Sequence, residues 1–362
     1  MEIIELNKES YQEWDEFCLK SDDAWFWHTS DWLEYSLAYK LEYNSRSLSF
    51  LVCDDTGIIG ICPLILEEIN DAGVIVKQFS NSGGGGYLPT PAVKCGLTID
   101  RKERVLRSIF SRIDELAIEL GVKRASWRFT YLGADQLSDR AGYNYLMRYD
   151  CLDNSLNTQI IDLLLPLEQL NHDVRKGHKY DIKRGERAYQ VEIWDRQNIK
   201  KEIFDLYRLL HHKASGRVTR PIETFEMMYQ WILSGKAILC GVKYGDKYIG
   251  FSLIITYKTA AYYASASDDP EIKVEAPIAH VIQWSVINWL KSHGYRYYEI
   301  GTQQFNLQLY DFPSKKDLDI ASFKRGFGGG TWPFFRGEKF YDREYMKDVL
   351  SERLAILTGE IN

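Results

Sequence analysis

The chain has 362 residues, 45% hydrophobic and 27% charged, and its 45 Lys and Arg against 51 Asp and Glu give a formal net charge of −6. That length points to two domains or one large one, with a core sizeable enough to need no staples. A net-acidic balance excludes a globally basic nucleic-acid binder and leaves any RNA contact to a local patch.

The first residues, "MEIIELNKESYQEWDEF", are acidic and mixed, unlike a signal peptide, and apolar runs such as "IIDLLLPL" (160–167) are too short to span a bilayer. Cys18, Cys53, Cys62, Cys95, Cys151 and Cys240 are dispersed, with no C-x-x-C pair and no histidines at zinc spacing, so no metal site is expected. Free thiols in a reducing cytoplasm follow, with room for a peripheral contact to a membrane-borne substrate. Helical segments are expected over 11–39, where the aromatics of "FWHTSDW" (26–32) read as core and Thr29 or Ser30 as a helix cap. "SFLVCDDTGIIGICPLILEE" (49–68) reads as a β-hairpin turning at Asp55 and Gly57. "RKERVLRSIFSRIDELAIEL" (101–120) spaces Val105, Ile109, Ile113, Leu116 and Leu120 as a helix, Gly121 ends it, and the strand "VKRASWRF" (122–129) follows.

The same plan returns after a connecting strand in "TQIIDLLLPLEQL" (158–170). Helices are expected over 199–234, then the hairpin "AILCGVKYGDKYIGFSLIIT" (237–256) turning at Gly245 and Asp246. Pro277 opens a helix carrying Ile278, Val281, Ile282 and Trp289, Gly294 ends it, and "YRYYEIG" (295–301) is the next strand. Helix, hairpin, strand, helix and strand thus occur twice in one order, which predicts two copies of one α/β unit of roughly 150 residues.

Four segments carry candidate chemistry. In "RKGHKYDIKRGER" (175–187), a helix would align Lys176, Lys179, Lys183 and Arg187 on one face, suited to phosphates or an RNA backbone, or simply solvated. "HHKASGRVTRP" (211–221) reads as a loop hinged at Gly216, where Arg217 and Arg220 can clamp a phosphate or carboxylate and His212 can act as a base. In "ASASDDPEIKVEAPIAHVIQW" (264–284), Asp268 and His280 stand where an acid or histidine could take a proton from an attacking amine, although turn and cap roles fit the aspartates equally. In "IASFKRGFGGGTWPFF" (320–335), Lys324 and Arg325 suit an anion, and Gly326, Gly328 and Gly329 permit close backbone approach. The same glycines would also serve a tight crossing where only glycine fits. No Walker A loop, G-x-S-x-G elbow, H-E-x-x-H, kinase signature set or Rossmann fingerprint is present.

Taken in order, "RKGHKYDIKRGER", "HHKASGRVTRPIETF" (211–225), "GYRYYEIG" (294–301) and "FKRGFGG" (323–329) resemble the FemAB-like family, most strongly over 171–330. The resemblance implies an α/β fold with mixed sheets, built as two tandem GNAT-like (acyl-CoA N-acyltransferase fold) domains at 1–157 and 158–330, with 331–362 as a tail packing back on the first. It implies transfer of an acyl group to an amine, with no bound cofactor and with aminoacyl-tRNA or acyl-CoA as co-substrate. The acceptor would be a nucleotide- or lipid-linked envelope precursor, of peptidoglycan or polysaccharide. Arg217, Arg220, Lys324 and Arg325 would then hold phosphate, Gly326 would let backbone pass close to it, and His280, His212 or Asp268 would be the base. Neither long helix is preceded by the Q/R-x-x-G-x-G/A loop of CoA-dependent enzymes. The alternatives are an acyl-CoA-dependent N-acetyltransferase acting on an amino sugar and a non-catalytic binding module.

Overall fold

Local signals act where the sequence puts them. In the structure, a computed structural model that describes residues 1–71, 73–134, 142–273, 275–305 and 307–360, the Thr29 hydroxyl accepts from the Trp32 amide and caps a helix. Thr98 caps the long helix of the first half, and Gly121, at φ 68°, closes it in the left-handed region that glycine adopts without strain. The chain divides into two units: 1–157 with 304–318 and 333–362, and 158–303 with 319–332.

In the first unit, β1 (Glu2–Glu5) precedes α1 (Tyr11–Lys20) and α2 (Ser30–Tyr39). The hairpin β2 (Phe50–Asp54) and β3 (Gly57–Cys62) pairs with β1, and the strand Ala92–Val93 completes that sheet. The single hairpin expected over 49–68 does not run that far. Pro63, which has no N–H to give a ladder, ends β3, and β4 (Ile65–Asp71) joins a different sheet with β5 (Val74–Phe79). Next come α3 (Ile99–Leu120) and β6 (Arg124–Arg128). Val105, Ile109, Ile113 and Ala117 of α3 are fully buried with Phe50, Phe79 and Trp127 in the core of this unit. The late strand Arg336–Phe340 pairs antiparallel with β6, and Arg353 of the last helix (Arg343–Thr358) grips Glu338 with both guanidinium nitrogens.

In the second unit, β7 (Leu156–Asp162), α4 (Leu167–Asp173), α5 (Lys176–Ala188) and β8 (Gln190–Trp194) precede the repeated plan. That plan is α6 (Lys201–Ser215), α7 (Ile222–Leu233), the hairpin β9 (Ala237–Tyr244) and β10 (Lys247–Tyr257), β11 (Ala260–Asp268), α8 (Ile278–Ser292) and β12 (Tyr297–Gln303). α9 (Lys315–Arg325) and β13 (Gly330–Phe334) follow. One mixed sheet runs β8-β9-β10-β11-β12-β7-β13, and α8 buries Val281, Ile282, Val286 and Leu290 against it. Among the described residues no helix is long and apolar enough to cross a membrane.

Candidate functional site

β11 and β12 run parallel but pair only at Ala260–Tyr297, Ala261–Tyr298 and Tyr262–Glu299. Past that point β11 continues to Asp268 and β12 to Gln303 without pairing to each other, so a sheet with α8 behind it opens at one end. A cavity of about 480 Å³ lies there, lined by Asp268 and Asp269 at the end of β11, Pro277 and His280 at the start of α8, and Phe323 and Lys324 of α9. Asp268 and His280 from one singled-out stretch of sequence and Lys324 from another meet at this one cavity.

Each is positioned by an identifiable contact. Opposite Asp268, Gly250 of β10 has no side chain; a Cβ there would come within 2.8 Å of the Asp268 Oδ1 and 2.9 Å of Ile278. Asp268 is exposed as a residue, but its carboxylate lies against Gly250, and the partial desolvation there pushes it up to about 6. Among the described residues no cation counters the effect. The neighbouring Asp269 differs because Lys213 of α6 bridges it at 2.7 Å, along with Glu271, and holds its carboxyl below the usual range.

His280, in the first turn of α8, packs edge-on to His178 at 4.3 Å and Phe323 at 5.0 Å. Burial drives it down to about 4, so the ring is neutral at physiological pH, and its buried Nδ1 has no hydrogen-bond partner among the described residues. The Lys324 ammonium sits over Gly301 of β12, where a Cβ would stand 2.9 Å from Nζ. Burial lowers the Lys324 pKa, and the charge of Glu299 opposes that fall.

The segment 211–221 is not all loop. α6 runs to Ser215, because the apolar face of Phe204 and Tyr207 continues through His211, and Gly216 at φ 66° is its cap and not a hinge. His211 meets Thr219 Oγ1 at 3.0 Å and is driven to about 4 by burial. His212 is also lowered, by burial and then by Arg208 and Arg220. The Arg220 guanidinium lies over Phe225 at 4.6 Å, while Arg217 is exposed, so the expected pair of arginines is split. Tyr207 donates to Ser265 at 2.9 Å, and Lys213 reaches Asp269, so alternate residues of β11 face α6. Asp268 has the opposite parity and turns toward α8, whereas His212 and Arg220 belong to the α6 side.

On α5, Lys176, Lys183 and Arg187 are exposed, and half-buried Lys179 donates to the His172 carbonyl at 3.0 Å. The opposite face buries His178, Ile182 and Gly185, and Gly185 lets α5 approach Val281 of α8. The glycine run after Lys324 corrects one expectation. A Cβ on Gly326 would lie 2.1 Å from His178 Nε2, its amide donates to the Phe323 carbonyl at 3.0 Å, and its carbonyl accepts from Arg175 at 2.8 Å. Buried and fully used, the Gly326 backbone has nothing to offer a phosphate. Gly329, at φ 78°, passes so close to β7 that a Cβ would stand 2.3 Å from the Ile160 carbonyl oxygen. The run is a tight crossing that only glycine fits. Arg325 donates to Gln303 at 2.8 Å.

Sequence reasoning passed over Glu299 and Gly301. The signal for the first was present: one acid among the apolar and aromatic residues of "YYEIG".

The model of the acetyltransferase (GNAT) domain matches residues 172–310, a span that takes in β8 to β12 and the lining of the cavity up to His280. The crystal structure of FemX superposes with a TM-score of 0.67 at 14% identity, covering 97% of this chain and 100% of that one. The chain has the tandem GNAT fold that FemX shows. The C-terminal domain (DUF2156) of an Agrobacterium fabrum protein described as a lysylphosphatidylglycerol synthetase gives 0.58 at 11% identity, over 97% of this chain and 98% of its own. L-PGS from Bacillus licheniformis gives 0.51 at 13%, over 90% and 96%. At such identities the shared property is the fold, and it is the fold the tandem GNAT resemblance implies. No curated protein matches by sequence. Residues 172–310 thus match an acetyltransferase (GNAT) domain, and the chain as a whole has the tandem fold.

Proposed function

We propose that the second unit transfers an aminoacyl or acyl group from an activated ester or thioester to an amine of a cell-envelope precursor. The observation that carries this reading is the convergence of Asp268, His280 and Lys324 on one cavity of about 480 Å³. The amine nitrogen attacks the donor carbonyl carbon, a new C–N bond forms, and the bond to the carrier oxygen or sulfur breaks. Asp268 accepts the proton the amine must lose, being the one titratable group of the cavity with a carboxyl raised to about 6 and still ionised at neutral pH. The Lys324 ammonium faces the oxygen that becomes negative, and neutral His280 orients the reacting groups as a hydrogen-bonding partner. No covalent enzyme intermediate is required. The exposed Arg217 would meet an anionic group of a substrate, and the exposed cations of α5 a polyanionic carrier.

An aminoacyl-tRNA ester is the better donor. The connection into α8 carries Asp268, Asp269, Glu271 and Glu275 and ends in Pro277, which lacks an N–H. The CoA pyrophosphate is held in this fold by amides at that helix start, and carboxylates there repel it. The second reading, an acyl-CoA-dependent N-acetyltransferase acting on an amino sugar, is favoured by the GNAT domain match over the same residues. Either reading implies a cytoplasmic enzyme, with peripheral membrane contact if the acceptor is lipid-linked.

Titration with acetyl-CoA and with charged and uncharged tRNA at two salt concentrations decides between them. Saturable, salt-sensitive binding that prefers charged tRNA, lost when Lys176, Lys183 and Arg187 are reversed to Glu, supports aminoacyl transfer. Tight CoA binding with weak, unselective tRNA binding moves the protein to the sugar N-acyltransferases. Acyl transfer that is unchanged in Asp268→Asn and Lys324→Ala sinks the roles given to these residues, and no transfer from either donor leaves a binding module.

A further inference from the structure

Lys324 is a cation in a place that disfavours cations. Burial lowers its pKa, and a lysine that has lost its proton brings no charge to a developing oxyanion. Two residues of β12 act against that loss. Glu299 is 5% exposed, between fully buried Tyr298 and Ile300, an expensive position for a carboxylate in a core strand. The Thr158 hydroxyl of β7 donates to its Oε1 at 2.7 Å. Gly301 stands two residues on, so it shares the face of β12 that carries Glu299. Its φ of 111° and the 2.9 Å between a built Cβ and the Lys324 Nζ make it the residue that leaves room for the ammonium.

The geometry points to Glu299 and Gly301 as positioning residues: together they form a seat in the opening between β11 and β12 that fixes the Lys324 ammonium and keeps it protonated. The other groups around the cavity cannot do this. Asp269 is engaged by Lys213, Asp268 leans on Gly250, His280 is neutral, Tyr263 is an un-ionised phenol, and Arg325 is a like charge turned to Gln303. Glu299 is the charge that acts on Lys324. Thr158, in turn, fixes the Glu299 side chain by donating to its Oε1. The seat stands without any assignment of chemistry; its effect on turnover rests on the proposed transfer reaction.

The test reads the lysine itself in the full-length chain. The rate of Lys324 modification by acetic anhydride, followed by mass spectrometry against pH, gives its titration midpoint in the wild type, Glu299→Gln and Thr158→Val. Gln is near-isosteric and keeps the Thr158 hydrogen bond, and thermal melts check that each variant folds. Expected is a midpoint about one pH unit lower in Glu299→Gln, a tenfold weaker hold on the proton, with a smaller shift of the same sign in Thr158→Val. The alkaline limb of kcat/KM should move down by the same amount while the acid side stays near wild type. A purely structural role would instead depress the rate at every pH. An unchanged Lys324 midpoint in Glu299→Gln overturns the seat. A shifted midpoint with an unmoved pH–rate profile leaves the seat standing and refutes Lys324 as the group that meets the oxyanion.

Discussion

Gly326→Ala tests the packing of the cavity wall against the alternative of a backbone cradle for phosphate. The new Cβ would lie 2.1 Å from His178 Nε2, well inside the 3.0 Å that real Cβ contacts respect. The ring must retreat, and it has little room: it bonds the Phe323 carbonyl at 2.9 Å and packs on His280 at 4.3 Å and Phe327 at 4.8 Å. Overpacking costs about 1–3 kcal/mol. Loss of the Phe323 bond adds about 0.5–1.5 kcal/mol. The expected total of about 2–4 kcal/mol corresponds to a drop of roughly 5–15 °C in the melting of the second unit. His178→Ala alone also destabilises, but it removes the ring that the added methyl would strike. The double variant should therefore be more stable than the sum predicts by about 1–3 kcal/mol. Urea unfolding of the four proteins measures the cycle. A Gly326→Ala protein within about 0.5 kcal/mol of wild type, or strictly additive costs, refutes the packing argument.

Four further outcomes are expected. Asp268→Asn should lower kcat/KM by about 10²–10⁴-fold, and the acid limb of the wild-type profile should have its midpoint near 6, because the protonated carboxyl cannot take the amine proton. The same carboxyl is raised in the fold from 3.8, so its ionisation works against folding as pH rises through about 6; Asp268→Asn should raise the melting temperature above that pH and leave it unchanged below 3.8. Reversing Lys176, Lys183 and Arg187 to Glu should leave melting unchanged, because all are exposed, and should make the salt dependence of polyanion binding shallower by about two to three in the log–log slope. Glu338→Gln should cost about 3 kcal/mol in urea unfolding, because it breaks a bidentate pair whose side chains are 3% and 15% exposed and strands the Arg353 charge.

The sequence by itself determined the local events and their order. Thr29, Thr98 and Gly121 need only a few neighbours to cap a helix, and the hairpin turns at Gly57 and Gly245 need only a φ that glycine permits. Because such signals are local, the repeat of helix, hairpin, strand, helix and strand was legible, and the tandem fold with it. Asp268, His280 and Lys324 were legible as candidates one at a time, by residue type and by place at an element's end.

Tertiary structure decided what each of them does. That Pro63 sends β4 to a second sheet depends on which strands lie within pairing distance, and neither hairpin half carries that information. Gly326 looks the same in sequence whether it faces a phosphate or His178, which lies 148 positions earlier in the chain. Glu299 reads as a stray acid in an apolar strand until α9 brings the charge of Lys324 to face it and β7 brings the Thr158 hydroxyl. Burial and charge act through space, over a few ångströms. The groups that set the proton affinities of this cavity come from β7, β10, β11, β12, α5, α8 and α9, and only the folded chain brings them together.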